Sequence, residues 1–558
     1  MDEMNEMNEM KKSKEPKEPK ETSETSETNE PRETKEAKGI NEPKEPGTGE
    51  KMEDKKVMDG KSDKLIFQRS DKLMAAGALL FGMFFVWLFY DKYPGISVPL
   101  FVIGFYSLLF AYTRPVLTKE AKFGWFLSIP VFLISLTYAL FGNEALMVLD
   151  ILALPILILL QTLLITGVNT YKWHSPGIIV DIVFGMIARC LLHIFKPFRL
   201  LVSLFKSKSG GNGSRSAGTR VLIGLAISVP LVLILLPLLS SADMVFGKLV
   251  DKLPNLFINV DAGEIIGRTI VALVIFFLSF SYLWSLGHKE RPVDNTMNGI
   301  VFKTSEQKKV WDPVIIITVT VTVDILYVIF VVIQFAYLFG RFGLPDGFTF
   351  AEYARSGFFE LILVSLLNIA LLAVTLTYTK KGAAGLNLAF RALNSIMIGC
   401  TIVMLISAHY RMSLYEQAYG FTFLRIMTHA FMVFLLVLFV ITLARVWIDR
   451  LPLLKPYIVA VVIAFTLVNY INVDEMIAKN NVERYYTTKE IDIGYFRTLS
   501  SVVVDDLKKL AKDKDPNIST EAVEMLKQRK DALLRMNKNW QSFNLTNYLA
   551  QRDLEKGW

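Results

Sequence analysis

Apolar runs long enough to cross a bilayer recur along the chain from Leu73 to Ile471, separated by polar loops. A hydrocarbon core of roughly 30 Å needs about 20 mostly apolar residues in a helix. Eleven such runs are read, at 73–90, 96–111, 123–141, 146–168, 221–240, 264–286, 313–339, 357–379, 392–409, 425–444 and 456–471. Water is absent at that depth, so each run must satisfy its backbone internally, as a helix does. The pattern predicts an all-α integral membrane protein with about 11 transmembrane helices. A soluble core built from this many helices, apolar on every side, is excluded.

Charge then sets direction, because Lys and Arg collect in cytoplasmic loops. The loops 112–122, 171–220, 287–312, 380–391 and 445–455 hold 22 Lys and Arg, whereas 91–97, 142–145, 241–263, 341–356 and 410–425 hold 7. This places the N-terminus in the cytoplasm and the C-terminus outside. One apolar segment, 177–205, carries Arg189, His193, Lys196, Arg199 and Lys206 at helical spacing on one face. A basic stripe of that kind predicts an amphipathic helix lying in the inner interface among anionic lipids, since crossing would bury several cations.

The ends differ from the middle. Residues 1–64 are near-repetitive (MNEMNEM, KEPKEP, TSETSETNE) and hold 14 basic and 19 acidic residues. Such a segment buries too little apolar surface to offset its ordering entropy, which predicts a disordered cytoplasmic tail. The net charge of +8 is therefore −5 in this tail and +13 in the rest, a surplus that belongs to loops facing lipid and not to nucleic-acid binding. Residues 65–472 form the transmembrane domain. Residues 473–558 are polar and helical in pattern, with Val502, Val503, Leu507 and Leu510 on one face and Val523, Leu526, Leu533, Met536 and Trp540 on another. They predict a small extracytoplasmic region docked on the outer face.

Familiar site chemistry is not found. His174, His193, His288, His409 and His429 form no close ligand pair, so no metal and no cofactor is predicted. The run Ser209–Ser214 is glycine-rich but lacks the Gly-Lys-Ser/Thr ending of a phosphate loop and reads as a linker. Cys190 and Cys400 imply no disulfide framework. No residue is assigned as catalytic.

Ionisable groups within spans are costly and are candidates by default. Asp324 lies deepest, with Gln334 further along its helix, Asn368 in the next span, and His429 near the outer end of the tenth. Interhelical packing through hydrogen bonds is the plainer role for Gln334 and Asn368, while Asp324 stays open because a carboxylate there must be paired, hydrated or protonated. The predicted outer loops are richer, with Arg341, Glu352, Tyr353, Arg355 and Glu360, then His409, Arg411, Tyr415, Glu416 and Arg425. Arginine on that face opposes the charge rule, so specific partners are expected, with Glu352, Glu360 and Glu416 as bidentate acceptors. Two readings stay open: a salt-bridge lattice, or an outward pocket for an anionic group such as a lipid phosphate.

The phrases Ser241-Ala242-Asp243 with Phe246, Gln334 to Gly340, Ala351 to Leu361, Tyr410 to Gly420, Asn469 to Tyr485 and Trp540 to Ala550 resemble a family of uncharacterised bacterial polytopic membrane proteins, the domain-of-unknown-function 4173 group. The resemblance runs from about 70 to 558. It departs at Val502 and Val504, where that family tends to Asp and Pro. It implies a bacterial cell-membrane protein and brings no activity. Three functions remain open: a non-enzymatic sensor or scaffold with an outward polar cluster, a transporter with a path through Asp324, and an envelope enzyme acting on a lipid-linked substrate at the outer face. The bilayer, with its anionic head groups, is the partner the sequence points to. It names no protein partner.

Overall fold

The computed structural model of the protein describes residues 68–558 apart from 176, all but six residues of 201–261, 289–309, 335–357, 537 and 558. Among the described residues every regular element is helical, save one bridge between Trp311 and Thr379. The membrane part comprises α1 (Arg69–Phe89), α2 (Ser97–Tyr112), α3 (Lys119–Phe126), α4 (Ser128–Leu140), α5 (Glu144–Thr166), α6 (Ile178–Leu192), α7 (Ala262–Gly287), α8 (Pro313–Gln334), α9 (Phe358–Tyr378), α10 (Ala384–Tyr419), α11 (Phe423–Trp447) and α12 (Leu454–Tyr470). Then follow α13 (Val473–Thr488), α14 (Val504–Leu510), α15 (Pro516–Met536) and α16 (Leu545–Glu555), with short 3-10 turns between them.

Eight described helices are long and apolar enough to cross a membrane, counting α3 and α4 as one, and α12 with α13 makes a ninth pair bent by 55°. The chain is an all-α polytopic membrane protein. Ten of the eleven predicted runs fall on described helices, and 221–240 lies outside the described residues. The α3–α4 joint sits at Leu127 because Pro130 cannot donate to Phe126 and its ring crowds that carbonyl. The 16-residue α2 rises only about 24 Å, short of a full crossing.

Two apolar packs build the bundle. Helices α1 to α7 bury Met74, Leu109, Ile134, Leu164, Phe280 and Trp284, and α9 to α11 bury Leu372, Met404, Leu405, Leu435 and Phe439, with α8 against them. Between the packs runs α12, whose Val462 faces the first and whose Tyr457 and Ala460 face the second. At Gly82 α1 meets α7 so closely that a Cβ would overlap the carbonyl of Ala272; backbones approach this way where small residues line a membrane interface. The outward faces stay apolar, as with Ile325, Leu326, Ile329 and Val332 of α8, and contact the bilayer.

The C-terminal helices form their own core from Ile477, Val482, Phe496, Val503, Leu507, Leu526, Leu533 and Leu554, onto which Phe421 and Phe423 pack from the start of α11. The expected face of α15 is realised by Leu526 and Leu533, but the helix ends at Met536 and Trp540 leaves it to lie across Trp87 of α1, ring centres 5.2 Å apart. Docking is specific. Asn544 caps α16 and donates to the carbonyls of Tyr138 at 2.9 Å and Phe141 at 2.6 Å, and Thr546 donates to Leu140 at 2.8 Å. Gly95 has no Cβ to obstruct Phe543, whose carbonyl accepts from Ile96 at 3.0 Å. The loops 90–96, 141–143 and 420–422 thus share the tail-bearing end of the bundle. The opposite end gathers Tyr112 near His288, Lys455 over Trp173, and Lys381 on Asp449.

The helix α6 differs from expectation in the facing of its basic stripe. Arg189 is buried and directs its guanidinium to Ser285 at 3.2 Å and to the carbonyl of Val168 at 3.3 Å, while Lys196 lies over the ring of Trp284. Arg199 stays exposed, as do Ile179, Val183, Leu191, Leu192 and Phe195. Its leading cation turns inward because the carbonyl past the end of α5 and a serine on α7 offer acceptors that apolar neighbours cannot.

Candidate functional site

Helix α10 is one unbroken rod of 36 residues, about 54 Å long. It outruns its apolar stretch at both ends. At the start Asn387 closes back on Gly382, donating at 2.8 Å and accepting at 3.1 Å. At the finish Gly420 takes φ +82°, a backbone conformation that glycine adopts without steric penalty. Its buried stripe runs Asn394, Thr401, Ala408, Arg411, Met412 and Glu416, so apolar and polar groups share one face.

The tight turn after Gly420 brings α11 back antiparallel, and His429 meets α10. Its Nε2 lies 3.0 Å from Glu416 Oε2, and its Nδ1 lies 2.7 Å from His409 Nδ1. Glu416 is buried, and its other oxygen has no hydrogen-bond partner. His409 is exposed. Two ring nitrogens at that separation share one proton, one donating and one accepting. If Glu416 is ionised, His429 donates from Nε2 and accepts at Nδ1, so His409 supplies the shared proton. The arrangement is a short proton wire from an exposed imidazole to a buried carboxylate.

Of the arginines expected to meet carboxylates, Arg425 is held by an aromatic ring and helix-end carbonyls: it stands over the ring of Tyr415, 4.4 Å from its centre, and donates to the carbonyls of Tyr419 and Gly420. Arg484 of α13 donates to the carbonyls of Gln417 at 2.9 Å and Ala418 at 2.6 Å. The last carbonyls of a helix lack intrahelical partners and carry partial negative charge, so two guanidinium groups cap α10. Asn481 adds a clasp, accepting from Phe421 N at 2.7 Å and donating to its carbonyl at 2.8 Å. Arg411 is buried in the same stripe. Glu360 is exposed at the start of α9 and makes no ion pair among the described residues. Arg341, Glu352, Tyr353 and Arg355 lie outside the described residues.

Within the bundle Tyr327 donates to Asn368 Oδ1 at 2.7 Å, Asn368 donates to Thr401 at 2.9 Å, and Thr401 returns to the carbonyl of Met397 at 2.7 Å. Asp324, one turn before Tyr327, is buried with both oxygens lacking a partner, and so is the whole side-chain amide of Gln334. Sequence reasoning passed over Asp150 of α5, which accepts from Thr137 at 3.4 Å and faces Asn469 of α12. The signal was a carboxylate inside an apolar run, the same that marks Asp324. It also passed over Asn481, Arg484 and Asn544, whose partners are backbone carbonyls far away in sequence. Among the described residues no group of His, Cys, Asp and Glu could hold a metal ion.

A family model described as a domain of unknown function (DUF4153) matches residues 128–510. No curated protein and no solved structure matches the chain. The resemblance drawn from sequence phrases therefore holds at the level of a domain of unknown function, while the group matched carries the number 4153, not 4173.

Proposed function

The chain belongs to the DUF4153 family, and we propose that it acts as a non-enzymatic membrane sensor or scaffold, in which the C-terminal helices and the His409–His429–Glu416 cluster are coupled through α10 to the opposite end of the bundle. The carrying observation is the continuity of α10, which bears Glu416 and the Arg484-capped carbonyls near one end and Arg391 near the other. A rigid helix transmits displacement along its length where a broken one would absorb it. In this reading the protein lies in a bacterial cell membrane. Residues 1–64 are a cytoplasmic tail, 65–472 the membrane domain, and 473–558 an extracytoplasmic unit holding the outer end of α10. The alternation of 22 against 7 basic residues in successive loops supports that orientation.

The coupling is tested with a cysteine in place of Ala383, an exposed residue at the start of α10, after replacing Cys190 and Cys400. Its labelling rate by a soluble maleimide should change several-fold in Glu416→Gln and in Arg484→Gln. Equal rates in both variants would reject transmission through α10. Orientation has its own check: in intact cells a cysteine replacing Lys530 should label and one replacing Glu30 should not.

Asp324 favours a second reading, transport coupled to a proton or cation. A buried carboxylate with no hydrogen-bond partner among the described residues is where a mobile ion could pause. Reconstituted protein that dissipates an imposed pH gradient, and ceases to do so in Asp324→Asn, would put transport in place of sensing.

A further inference from the structure

At the end of the bundle opposite the C-terminal helices, the turn after α9 folds against the end of α11 and leaves a cavity of about 250 Å³. Its lining includes Thr379, Lys380, Lys381, Arg391, Arg445 and Asp449. Asp449 serves three cations at once, with Lys381 at 2.8 Å, Arg391 at 3.2 Å and Arg445 at 4.0 Å. Lys380 makes no ion pair among the described residues. One carboxylate against four cations leaves the cavity three positive charges in excess. Thr379 is buried, and its hydroxyl has no hydrogen-bond partner. Trp311 and Trp447 are exposed beside it, and tryptophan is enriched where a membrane protein meets the interface.

We propose that this cavity binds a phosphate group, carried either by an anionic phospholipid or by a soluble phosphate ester. Guanidinium groups match phosphate oxygens with paired N–H donors, and ammonium groups add charge without direction. Arg391 and Arg445 fill the first role, Lys380 and Lys381 the second, and the Thr379 hydroxyl can donate to a further oxygen. Asp449 holds the cations in place while the cavity is empty. Occupancy does not depend on coupling through α10, so failure of either idea leaves the other standing.

The full-length protein is placed in nanodiscs of phosphatidylcholine, with or without phosphatidylglycerol, and offered labelled inorganic phosphate in a chloride buffer. Retained phosphatidylglycerol, counted by native mass spectrometry, supports a lipid phosphate. Saturable inorganic phosphate in phosphatidylcholine alone supports a soluble ester. Arg391→Gln should weaken whichever probe binds by about tenfold, the loss of one charge-assisted hydrogen bond. Lys380→Gln breaks no ion pair among the described residues and should weaken binding several-fold with the helix content unchanged. Absence of both probes above the chloride control, or wild-type binding in Lys380→Gln, would overturn the proposal.

Discussion

The two halves of the membrane bundle treat their buried polar groups differently. In α1 to α7 several are fastened across helices, although Asp150 Oδ1 and Ser281 Oγ are buried without a hydrogen-bond partner among the described residues. Tyr106 donates to Gln161, which donates to Ser128 at 2.6 Å; Thr162 meets the Tyr282 hydroxyl at 2.5 Å; and Arg189 reaches Ser285. In α8 to α11 one such ladder runs from Tyr327 to Thr401, but around it both oxygens of Asp324, the amide of Gln334, Asn394 Oδ1, Ser407 Oγ and Glu416 Oε1 are buried without partners. A buried polar atom left unpaired costs about 1–3 kcal/mol, so a protein retains it where the group serves something besides stability. By this measure the second half holds the larger share of groups available to a ligand, an ion or a proton, with Asp324 and Gln334 unpaired at every side-chain polar atom among the described residues.

That contrast is open to direct test, beginning with the largest expected effect. Asn544 ties the tail to the first half through two carbonyls of α4 and its own helix cap. Hydrogen bonds contribute about 1 kcal/mol each and an N-cap about as much. Asn544→Ala should therefore cost the docking of α16 about 2–3 kcal/mol, seen as faster amide exchange in 545–555 with the membrane helices unaffected. Unchanged exchange would mean that the tail is held by packing alone.

A smaller loss is expected from Gln161→Leu, which removes the acceptor of Tyr106 and the donor to Ser128. Interhelical hydrogen bonds in membranes average roughly 0.6 kcal/mol, so two should amount to about 1 kcal/mol in thermal unfolding. No loss would show the first half to be fastened by shape and not by these bonds.

Besides the ladder from Tyr327 to Thr401, the second half has a paired region at its surface, the exposed ion cluster on Asp449. The Lys381 ammonium, and then Arg391, hold the Asp449 carboxyl below its usual range. A depressed carboxylate contributes stability above its unfolded pKa of about 3.9 and loses it as pH falls through the folded value. The advantage of the native chain over Asp449→Asn should thus be present at neutral pH and fade below about pH 4. It should also shrink with salt and stay under about 1 kcal/mol, because the group is exposed. An advantage that persists in acid would show that packing, not charge, sets it.

Which parts of this picture the amino-acid order discloses follows from how local each signal is. A span is a local property, so Leu73–Tyr90 or Phe423–Trp447 announces itself by composition. The meeting of His409 with His429 depends on a short turn joining two antiparallel helices, the first of which runs ten residues past the apolar stretch that the sequence shows. Facing is not local. Arg189 of the basic stripe points inward because its acceptors, the Val168 carbonyl and Ser285, lie on other elements. The helical reach of α10 past 409 was masked by its polar composition. The partners of Arg425 and Arg484 escaped notice because a helix end, unlike a glutamate, is an acceptor without a letter in the sequence.

Asp324 gives the smallest expected change in stability and the sharpest division between the halves. It is buried as deeply in its helix as Asp150 is in α5, yet Asp150 has Thr137 beside it and Asp324 has no hydrogen-bond partner. Asp150→Asn disturbs a pair, whereas Asp324→Asn breaks no bond and removes only the capacity to carry charge. Thermal stability of Asp324→Asn should therefore stay within about 0.5 kcal/mol of the native chain or rise, because a lone carboxylate in an apolar setting is itself a cost. The labelling or gradient readouts that report function should nonetheless change. A loss of stability above about 1 kcal/mol in Asp324→Asn would show that the carboxylate is fastened after all, and the distinction between the two halves would fall with it.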